Sequence, residues 1–332
     1  MMHKNYISIN GIAHIALSVR SLNISKKFYK LLMPFLGLNI VHESNKSIYF
    51  LSADFGAAAL DDLRKLYPKN FLHCGISEQA MLDIAAGLAL EGNKVFVYAM
   101  APFLSLRSIE QTKCGAGLMN LPICLISVGV GLGYADAGPT HYSTEDFACF
   151  RAIVGSNVYT PADVPSSVLI AQDILENPKF SYVRLDREAL PDILPKITSN
   201  EYKKGYKIFG KIDNKKIGLI SHGKMTHKCL EIQKKESERF FCVDIFRSKP
   251  FPENLYKDIS SCKGFIVVDE QSPSGNLSSC VFEGFGQQNY FPKIISKSLP
   301  EKYVFENGGR EFLLNKFGLS AADITQASEK IM

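Results

Sequence analysis

The segment that most constrains the fold of this chain is 71–91, with the sequence FLHCGISEQAMLDIAAGLALE. It opens with an apolar strand end, and Gly75 permits the backbone angles of a tight turn. Ser77 is placed to cap a helix, and Glu78 falls in the first turn, where a carboxylate meets the positive end of the helix dipole. The small apolar residues from Ala80 onward predict a helix that is buried over most of its circumference.

Strands and helices alternate along the rest of the chain, which predicts an α/β fold. Runs such as KVFVYAM and LPICLISVGVG are apolar at their centres, as strands buried on both faces of a parallel sheet are. We therefore expect a doubly wound, mostly parallel sheet followed by a smaller α/β domain. The predicted boundaries are an N-terminal extension with a leading helix at 1–46, a first domain at 47–195, a linker at 196–210 and a second domain at 211–332.

The composition excludes several classes of protein. The net charge of +5 is spread over lysines interleaved with acidic residues, whereas a nucleic-acid binder carries a denser basic stripe. The most apolar run, 121–133, is too short to span a bilayer and contains Pro122. The eight cysteines form no CxxC pair, which favours reduced thiols in a cytoplasmic protein over a disulfide framework or a zinc site.

Glu78 has two interpretations. It can be a capping residue matched to the helix dipole. Its segment also resembles the G-I-x-E-Q/H motif in the pyrimidine-binding domain of transketolase-like thiamine diphosphate enzymes, in which the glutamate hydrogen-bonds N1′ of the aminopyrimidine and so activates the cofactor. The resemblance implies that Glu78 is catalytic and binds thiamine diphosphate. The strand end Ser52-Ala53-Asp54 resembles the S-A-D strand end of transketolases, and we assign Asp54 to cofactor binding.

Two further positions match the same family. Phe103 stands where transketolases carry an aromatic ring that packs on the aminopyrimidine, although a core phenylalanine is the alternative. Leu106 and Ile109 stand where the family has rings, so we expect a more aliphatic pocket. His141 lies in AGPTHYSTED, which resembles the family's D-G-P-T-H-Q loop, whose histidine stabilises oxyanions and moves protons. The resemblance implies that His141 is catalytic and binds substrate.

The substrate-binding positions depart from the family pattern. Asp136 lies one residue before the place of the aspartate that reads the donor hydroxyl, and Ala137 occupies that place. Arg187, in LDREALP, matches an arginine that clamps a phosphate or carboxylate, with a strand-end salt bridge as the alternative. The family's phosphate-binding serine and histidine fall on Ala58 and Ser127. We therefore predict Asp136 and Arg187 as substrate ligands for a substrate other than an ordinary pentose phosphate.

Residues 11–41 have two interpretations. Their strand–helix–strand pattern resembles the opening of the vicinal-oxygen-chelate family, in which His14 would be a metal ligand, but no second half-module follows. The alternative is an extended lead into the first helix of the next domain, in which Arg20 matches a phosphate-contacting arginine of transketolases. We predict no metal site within this chain and assign Arg20 to substrate binding.

The chain lacks the G-D-G…N motif whose oxygen ligands hold Mg²⁺ and the cofactor diphosphate in this superfamily. From Ser47 onward it resembles only the C-terminal half of a transketolase. The resemblance implies a partner subunit with the diphosphate and Mg²⁺ site, an α₂β₂ assembly and transfer of a two-carbon ketol unit between sugars. The alternatives are the β subunit of a 2-oxoacid dehydrogenase E1, a deoxyxylulose-phosphate synthase fragment and a non-catalytic half-transketolase.

Overall fold

Two β-sheets organise the computed structural model, which describes residues 47–53 and 58–331. The strands of the first sheet are β1 (Ile48–Ala53), β2 (Phe71–Gly75), β3 (Lys94–Met100), β4 (Ile123–Val128), β5 (Asn157–Tyr159), β6 (Ser181–Leu185) and β10 (Arg247–Lys249). Those of the second are β7 (Lys207–Phe209), β8 (Ile217–Ser221), β9 (Phe240–Asp244), β11 (Gly264–Val268) and β12 (Ile294–Lys297). The first sheet has the strand order β10-β5-β6-β4-β3-β1-β2, and the second has the order β12-β11-β8-β9-β7.

Helices alternate with most of these strands along the chain. The first half contains α1 (Asp61–Leu66), α2 (Glu78–Leu90), α3 (Ile109–Gln111), α4 (Asp146–Ala152), α5 (Val164–Glu176) and α6 (Ser199–Lys204). The second half contains α7 (Lys224–Lys235), α8 (Leu255–Ile259), α9 (Leu277–Gly286), α10 (Arg310–Lys316) and α11 (Ala321–Ala327). The short α3 is flanked by π-helical turns at Phe103–Arg107 and Thr112–Leu118. No helix within the described ranges is both long and apolar enough to cross a membrane.

Pairing in both sheets is parallel except at one edge of each, which confirms the predicted mostly parallel α/β fold. In the first sheet β2, β1, β3, β4, β6 and β5 run parallel, and β10 is antiparallel to β5. In the second sheet β7 is antiparallel to β9. Every residue of β4 is buried, as expected for an apolar strand between two parallel neighbours.

Two connections tie the sheets together more closely than the sequence indicates. The segment predicted as a linker, 196–210, contains α6 and β7, and β7 is an edge strand of the second sheet. Strand β10 lies between β9 and β11 in sequence, yet it pairs with β5 of the first sheet. One buried apolar cluster also includes Phe147 and Phe150 of α4 together with Phe241 of β9. The two sheets therefore share a core.

Helix α2 corrects one prediction. Only one side of the helix is buried, including Met81 and Ala85, whereas Ala80, Ile84 and Gly87 are exposed. A methyl group added at Gly87 would meet nothing within 4 Å. The small apolar residues that predicted burial all round therefore form an open face, because no part of the described chain packs there.

A buried carboxyl group in the second sheet gives a testable pH dependence. Burial, with a smaller contribution from Asp163 nearby, raises the pKa of Asp244 to about 8. The hydroxyl of Thr226 donates to the carboxylate at 2.9 Å and opposes the rise. The pKa of Asp244 in the folded protein lies above that of an unfolded aspartate. The protonated carboxyl therefore makes its full contribution to stability below about pH 4. That contribution is lost as the pH rises through the folded pKa.

We expect Asp244→Asn to remove most of this loss. Asparagine keeps an acceptor for Thr226 but has no proton to lose. The free energy of unfolding of the variant, measured in urea at pH 6 and pH 9, should therefore fall less with pH than that of the wild type, by on the order of 2 kcal/mol. Identical pH profiles for the two proteins would contradict the assignment.

Candidate active site

The predicted site residues follow the carboxyl ends of parallel strands in the first sheet. Glu78 follows β2, Phe103 follows β3, the loop with His141 follows β4, and Arg187 follows β6. In parallel sheets these ends share one edge, which is where ligands bind in open α/β folds. The order of the strands brings together side chains that are far apart in sequence.

The turn before α2 buries the Glu78 side chain. Gly75 has a φ of +70°, a left-handed conformation that a residue with a side chain rarely adopts. Ser77 occupies the N-cap position, but its hydroxyl donates to the carbonyl of Cys74 at 2.6 Å and does not cap the helix. Glu78 is the first helical residue and is 3% exposed. Its carboxylate is therefore buried at the positive end of α2.

Arg107 connects Glu78 to Phe103. Its Nη1 donates to Oε2 of Glu78 at 2.7 Å, and its guanidinium lies 4.2 Å from the centre of the Phe103 ring. The Arg107 side chain is 36% exposed, whereas the Glu78 side chain is 4% exposed. A buried carboxylate is thus neutralised by an arginine that reaches it from the surface side and stacks on an aromatic ring.

His141 completes a continuous cluster. Its imidazole meets the Phe103 ring edge-on, with the ring centres 5.5 Å apart and an angle of 74° between the planes. Nδ1 of His141 lies 2.9 Å from the hydroxyl of Thr140, and the His141 side chain is half-buried. The structure therefore brings Glu78, Phe103 and His141 together, with Arg107 between the first two.

The predicted substrate ligands Asp136 and Arg187 pair with each other. Nη1 of Arg187 lies 2.6 Å from Oδ1 of Asp136, both side chains are exposed, and the guanidinium stacks on Tyr134 at 4.5 Å. The hydrogen bond from Arg187 holds the pKa of Asp136 below its usual range, and His141 nearby contributes in the same direction. This pair forms an exposed rim between the loop that carries His141 and the segment that follows β6.

Glycines give that loop its path. The backbone of Gly131 exchanges two hydrogen bonds with Ser143, at 2.8 and 3.0 Å, and so closes the base of the loop. A Cβ on Gly129, whose φ is +79°, would lie 2.0 Å from the Tyr134 ring. One on Gly131 would lie 2.4 Å from the Cγ of Glu270. Only glycine lets Tyr134 and Glu270 approach the loop this closely.

Side chains of the second sheet hold the loop from the other side. The backbone N–H of Leu132 donates to Oε2 of Glu270 at 3.3 Å, and Nε2 of Gln271 donates to the carbonyl of Ser143 at 2.9 Å. Both Glu270 and Gln271 follow β11. The position of His141 therefore depends on contacts between the two halves of the chain.

Arg310 joins the same contacts to β6. At the start of α10 it donates twice to Asp186, at 2.9 and 2.7 Å, and from Nε to Glu270 at 3.0 Å, while its Nη2 also contacts Glu270. All three side chains are buried. Burial opposes ionisation of Asp186, but Arg310 beside it lowers the pKa of that carboxyl. Asp186 immediately precedes Arg187, so this buried triad sets the positions of both the rim and the loop.

The chain is similar to several proteins named as transketolases. The family described as transketolase, pyrimidine binding domain, matches residues 37–192. One of the subunits of apulose-4-phosphate transketolase from Phocaeicola vulgatus is 28% identical over 289 residues, which cover 86% of this chain and 91% of that protein. A solved split-gene transketolase, described as an inactive β4 tetramer, is 26% identical with a TM-score of 0.73, and the match covers 88% of this chain and 94% of that one.

The chain resembles the C-terminal section of a transketolase. Transketolase-like protein 1 of Bos taurus is 26% identical over 307 residues, which cover 90% of this chain but 50% of that protein. This chain thus spans about half the length of the Bos taurus protein. It spans nearly all of the apulose-4-phosphate transketolase subunit.

Some predicted residues of this transketolase-like chain lie outside the cluster. Arg20 and Asp54 fall outside the described residues, as do 1–46 in general. Ser127, where the family has a phosphate-binding histidine, is buried within β4. Leu106 is 45% exposed beside the cluster, so the side of the site that lacks the family's ring is open.

The sequence analysis missed Arg107, Glu270 and Arg310. Arg107 follows Phe103 by four residues, a spacing that places two side chains on one face of a helix and was the available signal. Its contact with Glu78 spans 29 residues and requires the strand order. Glu270 and Arg310 belong to the second half of the chain and reach the loop only through tertiary packing.

The cluster fits the pyrimidine end of thiamine diphosphate. The planar Arg107 guanidinium stacks on Phe103 and donates to Glu78, and an aminopyrimidine protonated at N1′ offers the same combination of a flat face and a donor. For the opposite end of the cofactor, no group of three or more His, Cys, Asp or Glu side chains in the described ranges is arranged to hold a metal ion.

Proposed function

We propose that this chain is the pyrimidine-binding subunit of a thiamine diphosphate-dependent transketolase that transfers a two-carbon ketol unit between sugars. The observation that supports this most strongly is the joining of Glu78, Phe103 and His141 in one cluster at the carboxyl edge of a parallel sheet. The name of the similar Phocaeicola vulgatus protein, an apulose-4-phosphate transketolase, supports the same reaction class.

Each residue of the cluster has a distinct role in this proposal. The bound thiamine diphosphate supplies the carbon nucleophile that cleaves the bond next to a ketose carbonyl. The Glu78 carboxylate accepts a hydrogen bond from N1′ of the aminopyrimidine, and burial strengthens that bond. The Phe103 ring orients the heterocycle by stacking. His141 stabilises oxyanions of the substrate and transfers protons to them.

The exposed rim supports a substrate role for Arg187. An exposed arginine that stacks on Tyr134 binds a phosphate or carboxylate through two parallel hydrogen bonds when Asp136 releases it. Ala58 and Ser127 replace two phosphate ligands of the family, so we propose a sugar substrate with an anionic group that is not an ordinary pentose phosphate.

We expect turnover of xylulose 5-phosphate with ribose 5-phosphate to be poor. Because two of the family's phosphate ligands are replaced, kcat/KM should be at least about tenfold below the lower end of the range of 10⁴–10⁸ M⁻¹s⁻¹ that is common for enzymes. A coupled assay of the reconstituted enzyme measures this directly. Turnover in the usual range of transketolases would refute the substrate proposal and leave the reaction class intact.

An exposed apolar face beside the cluster supports a partner subunit. Ile76, Ile84 and Leu106 are 73%, 43% and 45% exposed, and Gly87 adds open space on the same helix as Ile84. Apolar side chains concentrated beside a site mark an interaction surface. We propose that the N-terminal transketolase subunit covers this face, supplies the Mg²⁺ and diphosphate ligands, and forms a cytoplasmic α₂β₂ enzyme with this chain.

We expect the purified chain to bind thiamine diphosphate weakly on its own. The pyrimidine ligands lie here, but most affinity for a small ligand with a doubly charged end comes from the metal-bridged diphosphate. Isothermal titration with Mg²⁺ and thiamine diphosphate should give a Kd at least about a hundredfold weaker for the chain alone than with the N-terminal subunit.

The similar solved chain, described as an inactive β4 tetramer, supports this expectation. Ile84→Asp provides the internal control, since a charge on the exposed face should abolish the gain from the partner without changing the fold. Micromolar binding and ketol transfer by the chain alone would refute the two-subunit proposal.

A further inference from the structure

Arg107 makes both of the contacts that the proposed function assigns to the aminopyrimidine. Its guanidinium lies on the Phe103 ring at 4.2 Å, and its Nη1 donates to Oε2 of Glu78 at 2.7 Å. A guanidinium is planar and delocalised, with donors in its plane. A ring stacked on Phe103 and hydrogen-bonded to the same oxygen would occupy the same space. The arginine and the heterocycle therefore compete.

The competition follows from the environment of Glu78. A carboxylate that is 4% exposed is costly to leave unpaired, so the ligand-free chain needs a cation beside it. Arg107 is 36% exposed, which leaves its long side chain free to leave by rotating toward solvent without disturbing the core.

We propose that Arg107 is a placeholder that closes the pyrimidine site in the ligand-free subunit and swings out when the cofactor binds. This inference rests on the proposed function, since it assumes that an aminopyrimidine binds at Glu78 and Phe103. The arginine stabilises the separate subunit and lowers its affinity for the cofactor. The cofactor then replaces Arg107 at Glu78 only when residues of both subunits bind it, because their combined contacts offset the loss of the Arg107–Glu78 ion pair.

The test measures binding of thiamine diphosphate at fixed Mg²⁺ by isothermal titration of the reconstituted enzyme, with no sugar present. Arg107→Met removes the competitor, and its Kd should be about tenfold lower than that of the wild type. Arg107→Gln keeps a hydrogen-bond donor for Glu78, which guards against a folding defect, and should give an intermediate Kd.

Arg64 offers a matched control. It also pairs with a carboxylate, Asp61 at 2.6 Å, and lies over a phenylalanine ring, Phe71 at 5.2 Å, but on α1 away from the cluster. Arg64→Met should leave the Kd within twofold of the wild type. The melting temperature of the cofactor-free subunit provides a second readout, because Arg107→Met should lower it more than Arg64→Met does.

The outcomes separate the two proposals. Tighter binding by Arg107→Met, with Arg64→Met unchanged, supports the placeholder. Equal or weaker binding by Arg107→Met and Arg107→Gln, with normal binding by the wild type, overturns the placeholder and leaves the proposed function standing. No binding by the wild type or any variant overturns the proposed function and this inference with it.

Discussion

Glu78→Gln is expected to slow exchange of the C2 proton of bound thiamine diphosphate by about 10²–10⁴-fold, the range typical of a lost acid–base group. Glutamine has the same shape and can still accept from Arg107, but its neutral amide cannot share a proton strongly with N1′. Proton–deuterium exchange followed by NMR in the reconstituted enzyme measures this step without a sugar substrate.

A control variant distinguishes chemistry from folding. Glu91 follows the last residue of α2 and is exposed, so Glu91→Gln removes a carboxylate from the other end of the same helix. It should leave the exchange rate unchanged. The thermal unfolding of Glu78→Gln should stay close to that of the wild type, since the carbonyl oxygen replaces Oε2 as acceptor. An unchanged exchange rate in Glu78→Gln would remove the central assignment.

Arg310→Met is expected to have the largest effect on stability, a loss of roughly 3–5 kcal/mol in the free energy of unfolding. The arginine is the shared partner of Asp186 and Glu270, and all three side chains are buried. Methionine fills the space but leaves two carboxylates close together without a cation. Urea unfolding at pH 7 measures the loss.

Two further variants test the reason for this effect. Lys228 pairs at the surface with Glu311, the neighbour of Arg310 on α10, at 3.1 Å. Lys228→Met should cost less than about 1 kcal/mol. Adding Asp186→Asn and Glu270→Gln to Arg310→Met should recover much of the loss, because the uncompensated charges are gone. Equal stability of Arg310→Met and Lys228→Met would show that the buried triad contributes no more to stability than the surface pair.

The consequence for the site follows from the same contacts. Glu270 accepts from Leu132 in the loop that carries His141, and Asp186 precedes Arg187. A broken triad therefore loosens both the loop and the rim. The second half of the chain acts on the chemistry through position, although the proposed ligands of cofactor and substrate in the described residues lie in the first half.

Local patterns were sufficient to predict the elements that carry the site. Gly75 marks the turn, Glu78 begins α2, and the apolar runs become β3 and β4. These features depend on neighbours along the chain, namely on backbone freedom, strand burial and helix periodicity. The sequence by itself therefore determined the α/β class, and its resemblance to transketolases identified Glu78, Phe103 and His141 as candidates.

Only the tertiary structure decided which side chains meet and which faces are covered. Alanine and glycine on α2 are compatible with burial or with an open face, and the choice depends on what packs against the helix. Strand β10 joins the first sheet because a partner edge is available at β5. The partners in the Arg107–Glu78 pair are 29 residues apart, and those in the Arg310 triad are up to 124 residues apart. Charge pairing at such separations is set by the strand order and by the contact between the two halves of the chain. No local pattern encodes either of these.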